Sequence, residues 1–82
     1  MTPVRADSLR VNDIVLVRAV PFDERHPRFD EVRVAAVEPC TTRVRTESGT
    51  EVVAPAVRVR MGAGWFTVWL AGEGVALVRR GA

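Results

Sequence analysis

The chain has 82 residues, of which 48% are hydrophobic and 27% charged, a balance typical of one small globular domain rather than a disordered chain. No apolar run reaches the roughly 18 residues of a membrane span, and no secretory signal follows Met1, so we expect a cytoplasmic protein. The net charge is only +2, because ten acidic residues oppose twelve arginines and the chain has no lysine. Charge alone therefore does not indicate a nucleic-acid-binding protein.

The first long strand is predicted from Ile14 to Val20, where β-branched and aliphatic residues dominate. Asn12 tolerates a left-handed backbone and Asp13 accepts hydrogen bonds from nearby amides, so the pair predicts a tight turn into this strand. Pro21 is expected to end it. No stretch has a sustained helical period, and only a short helical turn near Ala6 to Leu9 fits the sequence.

Two further strands are predicted on either side of Pro39, over Glu31 to Glu38 and over Thr41 to Glu47. A hairpin then leads into a strand from Thr50 to Met61. Pro55 cannot donate to a β-ladder, so we expect this strand to be an edge or to bulge at that point.

The hairpin register depends on the length of its turn. If the loop is the two residues Ser48 and Gly49, Val44 lies opposite Val53. This register brings four arginines together on the face opposite Val44: Arg43, Arg45, Arg58 and Arg60. Such a face could follow a phosphate backbone, and the alternative is a solvated face neutralised by nearby carboxylates, those of Glu31, Glu47 and Glu51.

The last two strands are predicted over Trp65 to Ala71 and over Val75 to Arg80, each preceded by a glycine-rich turn. Short strands with turn signals between them, in so few residues, are typical of a small antiparallel barrel. The sequence therefore predicts one all-β domain over residues 1–82, a barrel of five or six strands.

The segment ADSLRVNDIVLV, Ala6 to Val17, resembles the strand entry of SH3-like small barrels and of Hint-type β-folds, with Asn12 where glycine is usual. A Hint-type relation would imply autocatalytic splicing or cleavage, but the amino end carries no nucleophilic Cys or Ser and the chain has no histidine pair. The SH3-like resemblance extends to the layout, since a long loop after the first long strand and then hairpins are similar to that barrel's order.

Catalytic residue types are scarce, because the chain has one cysteine, Cys40, and one histidine, His26. His26 lies among acids such as Asp23 and Asp30, which would suit a weak metal site, but a charged and solvated loop is the more common arrangement. Cys40 has no second cysteine to pair with, and this favours a small core residue in a reducing compartment. We expect no enzymatic activity, no cofactor and no metal.

The apolar strand poses a burial problem, because alternation places Trp65 and Trp69 on one side and apolar residues on the other, Phe66, Val68 and Leu70. Either the charged loop folds back and covers the tryptophans through Phe22 and Phe29, or the tryptophans form an interface. We favour the interface, by self-association or with a protein partner, because Phe22 and Phe29 stand among many charges.

The sequence therefore predicts a non-enzymatic protein-binding or adaptor module that acts through the tryptophan strand and the loop from Pro21 to Glu31. Its compact, arginine-rich composition suggests, by analogy only, a bacterial or bacteriophage accessory protein. The alternative is a nucleic-acid-binding barrel that uses the arginine hairpin.

Overall fold

The computed structural model describes residues 2–18 and 29–81, and these residues form six β-strands. The strands are β1 (Thr2–Arg5), β2 (Ile14–Arg18), β3 (Phe29–Arg45), β4 (Glu51–Met61), β5 (Phe66–Leu70) and β6 (Gly74–Arg79). A 3-10 turn, Ala6–Ser8, follows β1, where the sequence predicts a short helical turn. The prediction of an all-β chain is confirmed. No helix in the described ranges is long and apolar enough to cross a membrane.

All six strands belong to one antiparallel sheet with the order β1-β6-β2-β3-β4-β5. Strand β3 is shared between two parts of this sheet, because Phe29–Arg33 pair with β2 and the rest of the strand pairs with β4. The register of β3 shifts between Val34 and Ala36, which marks a β-bulge, and a bulge bends the strand that contains it. The strand thus connects two lobes, β1-β6-β2-β3 and β3-β4-β5.

The hydrophobic core lies between the two lobes. It draws Val15 and Val75 from the first lobe and Val57, Val59 and Met61 from β4. Val34, at the bend of β3, is fully buried between them. Burying a side chain of this size contributes roughly 1.5 to 3 kcal/mol, so the contact between the lobes is a main source of stability.

The predicted barrel is not closed within the described residues. Closure would pair β5 with β1, but the chain after β5 bonds to the turn that follows β1 instead: Ala6 N–H donates to Glu73 at 2.9 Å and Asp7 N–H to Ala71 at 3.1 Å. These bonds hold the end of β5 without reaching its edge. The described residues thus form an open, bent sheet rather than a closed barrel, and the SH3-like relation stays a prediction.

Pro39 does not end a strand, and the two predicted strands on either side of it are one 17-residue strand, β3. Pro55 lies in β4, which pairs with β3 there without a bulge. The β4–β5 pairing begins one residue later at Ala56, so on the β5 side Pro55 is at the margin of the paired region, in line with the predicted edge position. The Pro55 carbonyl accepts from Ala71 N–H at 3.0 Å, so its nitrogen also faces the β5 side, away from β3. Pro39 lies opposite Val57, and by the same alternation its nitrogen points away from β4. Neither proline removes a β3–β4 hydrogen bond.

The hairpin between β3 and β4 has a three-residue loop rather than the predicted two-residue one. Thr46 N–H donates to Thr50 at 2.8 Å, and Gly49 takes a positive φ of 84° as the third loop residue. A three-residue hairpin of this kind places its left-handed residue at a bulge. The added loop residue moves the register by one position, so Val44 lies opposite Val52 and Arg43 opposite Val53.

The turn before β2 is held by a buried carboxylate. Asp13 is 1% exposed, and its Oδ2 accepts from Arg10 N–H at 2.9 Å and from Arg80 Nη1 at 2.8 Å. Asn12 has a φ of 75°, as the sequence predicts for a tight entry into the strand, and its backbone bonds to Val34. Gly81 lies so close to Asn12 that a Cβ there would overlap the Asn12 carbonyl. This turn therefore joins β2 and β3 to the end of β6.

Replacing Arg80 with alanine is expected to destabilise the fold by about 3 kcal/mol, because the buried Asp13 carboxylate loses its opposite charge. Urea unfolding followed by circular dichroism measures the change. The matched control is Arg79→Ala, whose exposed pair with Glu31 at 3.9 Å should contribute less than about 1 kcal/mol. Equal losses from the two variants would contradict the role assigned to Asp13.

Candidate protein-interaction site

Strand β5 forms one edge of the described sheet, and its backbone groups alternate between β4 and open space. Met61 N–H donates to Trp65 at 2.8 Å and Ala71 N–H to Pro55 at 3.0 Å, so positions 65 and 71 face β4. By alternation, Thr67 and Trp69 also bond to β4, opposite Val59 and Val57. The backbone groups of the three intervening residues, Phe66, Val68 and Leu70, point away from β4, and the Leu70 carbonyl accepts from Glu73 N–H at 3.0 Å.

The side chains of these three outward residues form an exposed apolar row on the outer face. Phe66 is 54% exposed, Val68 43% and Leu70 37%. None of the five residues of β5 is charged or a proline, whereas natural edge strands commonly carry such residues to prevent pairing with other chains. We define this edge, with its apolar row, as the β5 edge.

The other edge strand, β1, is blocked by a proline. Ala6 N–H donates to the Glu73 carbonyl. Because hydrogen-bonded positions alternate along an antiparallel pair, the backbone groups of Thr2 and Val4 also point toward β6. Alternation then points the nitrogen of Pro3 to the open side, where it has no hydrogen to donate. Of the two end strands in the sheet order, β5 therefore offers the more complete set of donors, while residues 35–45 of β3 also lack a partner strand, among the described residues, on the side away from β4.

A cleft of about 460 Å³ adjoins the start of β5. Its walls include Val17 and Arg18 from β2, Asp30 from β3, and Trp65 with Phe66. Trp65 is 41% exposed and so presents a large apolar surface beside two charged residues. The cleft and the β5 edge are continuous because Phe66 belongs to both.

A cation–π contact fixes part of the outer face beside β5. The Arg58 guanidinium carbon lies 4.1 Å from the centre of the Phe66 ring. Such a contact orients the ring and leaves positive charge over it. Arg60 stands directly opposite Phe66 in the register, so two positive side chains border the apolar row.

The two tryptophans lie on the same face of β5, as the alternation predicts, but they differ in burial, because Trp69 is half-buried and Trp65 is exposed. Trp69 points inward and packs against the core, whereas Trp65 stands in the turn before β5. Phe29 is 53% exposed, and the register puts it on the face opposite Val32, so it does not cover the cleft. Phe22 lies outside the described residues, as does most of the loop from Pro21 to Glu31. The role of these four aromatic residues at an interface stays a prediction.

The four arginines of the hairpin also do not share a face, which corrects the predicted arginine surface. The one-residue change in register moves Arg43 and Arg45 to the face of Val53 and Val57, while Arg58 and Arg60 lie on the outer face. Glu51 lies 4.0 Å from Arg43 and 3.8 Å from Arg45, so the expected neutralisation by a carboxylate is present at this end. Nucleic-acid binding by these arginines stays a prediction without its expected geometry.

Other reactive side chains are dispersed. Cys40 is half-buried in β3, and His26 lies outside the described residues. Within residues 2–18 and 29–81, no three His, Cys, Asp or Glu side chains lie close enough to hold a metal ion. A hydrogen bond from Arg5 at 3.0 Å lowers the pKa of the exposed Asp7 carboxyl, and this pair stands apart from the β5 edge.

The apolar strand is recognisable as unusual in the sequence, but the sequence favoured its tryptophan face, rather than the face of Phe66, as the exposed one. Alternation in β5 was visible, whereas the choice of the face that meets the core depends on long-range pairing. A usable signal lay at the other end of the chain, where Pro3 in a short strand marks a protected edge.

Comparison of the chain with family models, curated proteins and solved structures finds no match.

The different positions of the tryptophans predict different effects on stability. Trp69→Ala should lower the free energy of unfolding by about 3 kcal/mol, because it removes a large side chain packed on the core. Trp65→Ala should lower it by less than about 1 kcal/mol, since its ring is partly in solvent. Urea titration of both variants measures these values, and a larger loss for Trp65→Ala would contradict the assignment.

Proposed function

We propose that this chain is a non-enzymatic protein-binding or adaptor module that adds an extended segment of a protein partner to the β5 edge. The observation that carries the proposal is the free edge itself: the outward backbone groups of Phe66 and Val68, with the Leu70 N–H, lie in an uncharged strand. An extended peptide bonds to such an edge through its main chain, and its alternate side chains occupy neighbouring surfaces.

The surfaces on the two sides of the β5 edge define the chemistry of that segment. On the outer face, apolar side chains would pack against Phe66 and Val68, which are half-exposed. Arg58 and Arg60 border this row and favour an acidic residue at its margin. On the inner side, the cleft beside Trp65 is large enough for an apolar or aromatic side chain.

The SH3-like relation is part of the same proposal. Strands β2 to β5 follow one another across the sheet, and β6 returns beside β2, which supports the layout of a meander with a returning last strand. The expected long connection after the first long strand falls on residues 19–28, outside the described part of the chain. A cytoplasmic bacterial or bacteriophage accessory role is supported by the composition and carries no structural argument.

The nucleic-acid alternative has weaker support. Arg43 and Arg45 are bordered by Glu51, and Arg58 is stacked on Phe66, so no continuous basic surface joins the four arginines. Phosphate binding depends on several cations that follow one backbone.

A proline at position 68 tests the proposal, because it removes an outward N–H without removing a hydrogen bond to β4. Peptides of about twelve residues, selected from a phage-displayed random library for binding to the wild-type chain, provide the probe. We expect Val68→Pro to weaken their binding at least about tenfold, since a main-chain bond is lost and the ring blocks the edge. Fluorescence anisotropy with labelled peptides measures the affinities.

The matched control is Val53→Pro, which introduces the same residue at an outward position of β4, beyond the end of β5. Its peptide affinity should equal that of the wild type, and circular dichroism should show all three proteins folded. Selected peptides that bind Val68→Pro as tightly as the wild type would refute the proposed role of the β5 edge.

A further inference from the structure

We infer that a second copy of this chain occupies the β5 edge, through antiparallel β5–β5 pairing about a two-fold axis at Val68. The inference rests on the proposed function, since it takes β5 to be a binding edge. It adds the identity of one partner and the register of the contact.

The β5 sequence is complementary to itself in the antiparallel direction. With the axis at Val68, the outward-facing residue Phe66 of one copy lies opposite Leu70 of the other, and Val68 lies opposite Val68. The outward N–H and C=O groups of Val68 thus face those of the other copy, and Leu70 N–H faces the Phe66 carbonyl, while the Leu70 carbonyl also accepts from Glu73 N–H of its own chain. The apolar rows of the two copies join on the outer face, and no charged residue of β5 is brought into the contact.

The other edge does not offer an equivalent partner. A β5–β1 contact would place the strand against Pro3, which supplies no donor on the open side. A β5–β1 contact would also be heterologous, since it joins two different surfaces. Heterologous contacts generate open-ended assemblies unless the rotation between copies closes a ring. The symmetric β5–β5 contact closes after two copies.

Charge complementarity at the strand ends supports the same pairing. β5 lies between two turns. The Arg33 guanidinium packs on Gly62 in the turn before β5, Gly62–Trp65, and Glu73 lies in the turn after it. The two-fold axis brings the Glu73 turn of one copy to the Gly62 turn of the other, on the side of Arg60, whereas Arg33 already donates to Asn12 at 3.0 Å. Arg5, beside Gly72, is already paired with Asp7 at 2.9 Å and so adds little repulsion.

The size of the contact sets the expected affinity. A single pair of five-residue strands with its flanking side chains buries less area than the roughly 1,600 Å² of a standard interface. The dimer is therefore expected to dissociate in the micromolar range, about 1 to 100 μM.

Sedimentation velocity over a concentration series tests the inference. The wild type should change from monomer to dimer between about 1 and 200 μM. Val68→Pro should raise the dissociation constant at least about tenfold, because both copies lose the central donor. Val53→Pro should leave it unchanged.

Disulfide trapping tests the register independently of proline. In a Cys40→Ser background, Val68→Cys should form a covalent dimer on mild oxidation, because the pairing brings the two position-68 residues within disulfide reach. Val53→Cys is the control, since Val53 is more exposed, at 67%, but remote from the axis. A wild type that stays monomeric at 200 μM, or equal trapping at the two positions, would overturn the inference. If the wild type stays monomeric but Val68→Pro still abolishes peptide binding, the proposed function holds and only the dimer is overturned.

Discussion

The ion pair between the buried Asp13 carboxylate and the partly exposed Arg80 guanidinium is the interaction on which the rest of the sheet depends. A carboxylate that is 1% exposed needs both hydrogen bonds and an opposite charge, and it obtains them from Arg10 N–H and from Arg80. Because Asp13 precedes β2 and Arg80 follows β6, their contact fixes the pairing of the first and last long strands. The backbone bonds of Asn12 and Asp13 to Val34 extend this constraint to β3.

This fixed lobe determines where the other lobe lies. Strand β3 leaves β2, bends at the bulge near Val34 and carries β4 and β5 over the core. The chain then returns to β6 through a turn that bonds to Ala6 and Asp7, before β5 can meet β1. The open edge of β5 is therefore a consequence of the closing contacts of the fold. An uncharged strand at such an edge has the features of a site for an added strand.

Local chemistry allowed much of the fold to be predicted from the sequence. The turn at Asn12 and Asp13, the strand after it and the all-β class follow from residue types and from alternation over a few positions. The hairpin register did not follow, because Gly49 served as a third loop residue and displaced every later pair.

The effect of a proline also depends on which side of the strand its nitrogen faces, and that requires the neighbouring strands. For the same reason, the sequence identified β5 as unusual but not which of its faces is exposed. Trp69 was predicted at an interface; its half-buried side chain also packs against the core, and its interface role stays a prediction. Side-chain alternation can be read locally, but the side that meets the core is decided by partners far away in the chain.

Amide hydrogen exchange across β5, followed by nuclear magnetic resonance, tests most directly whether this edge is free. In a dilute sample, we expect slow exchange at Thr67 and Trp69, which bond to β4, and fast exchange at Phe66 and Val68, which face outward. At high concentration the outward amides should become protected while the inward ones change little. Slow exchange at Phe66 and Val68 in the dilute sample would show that the chain covers its own edge, and would contradict the account.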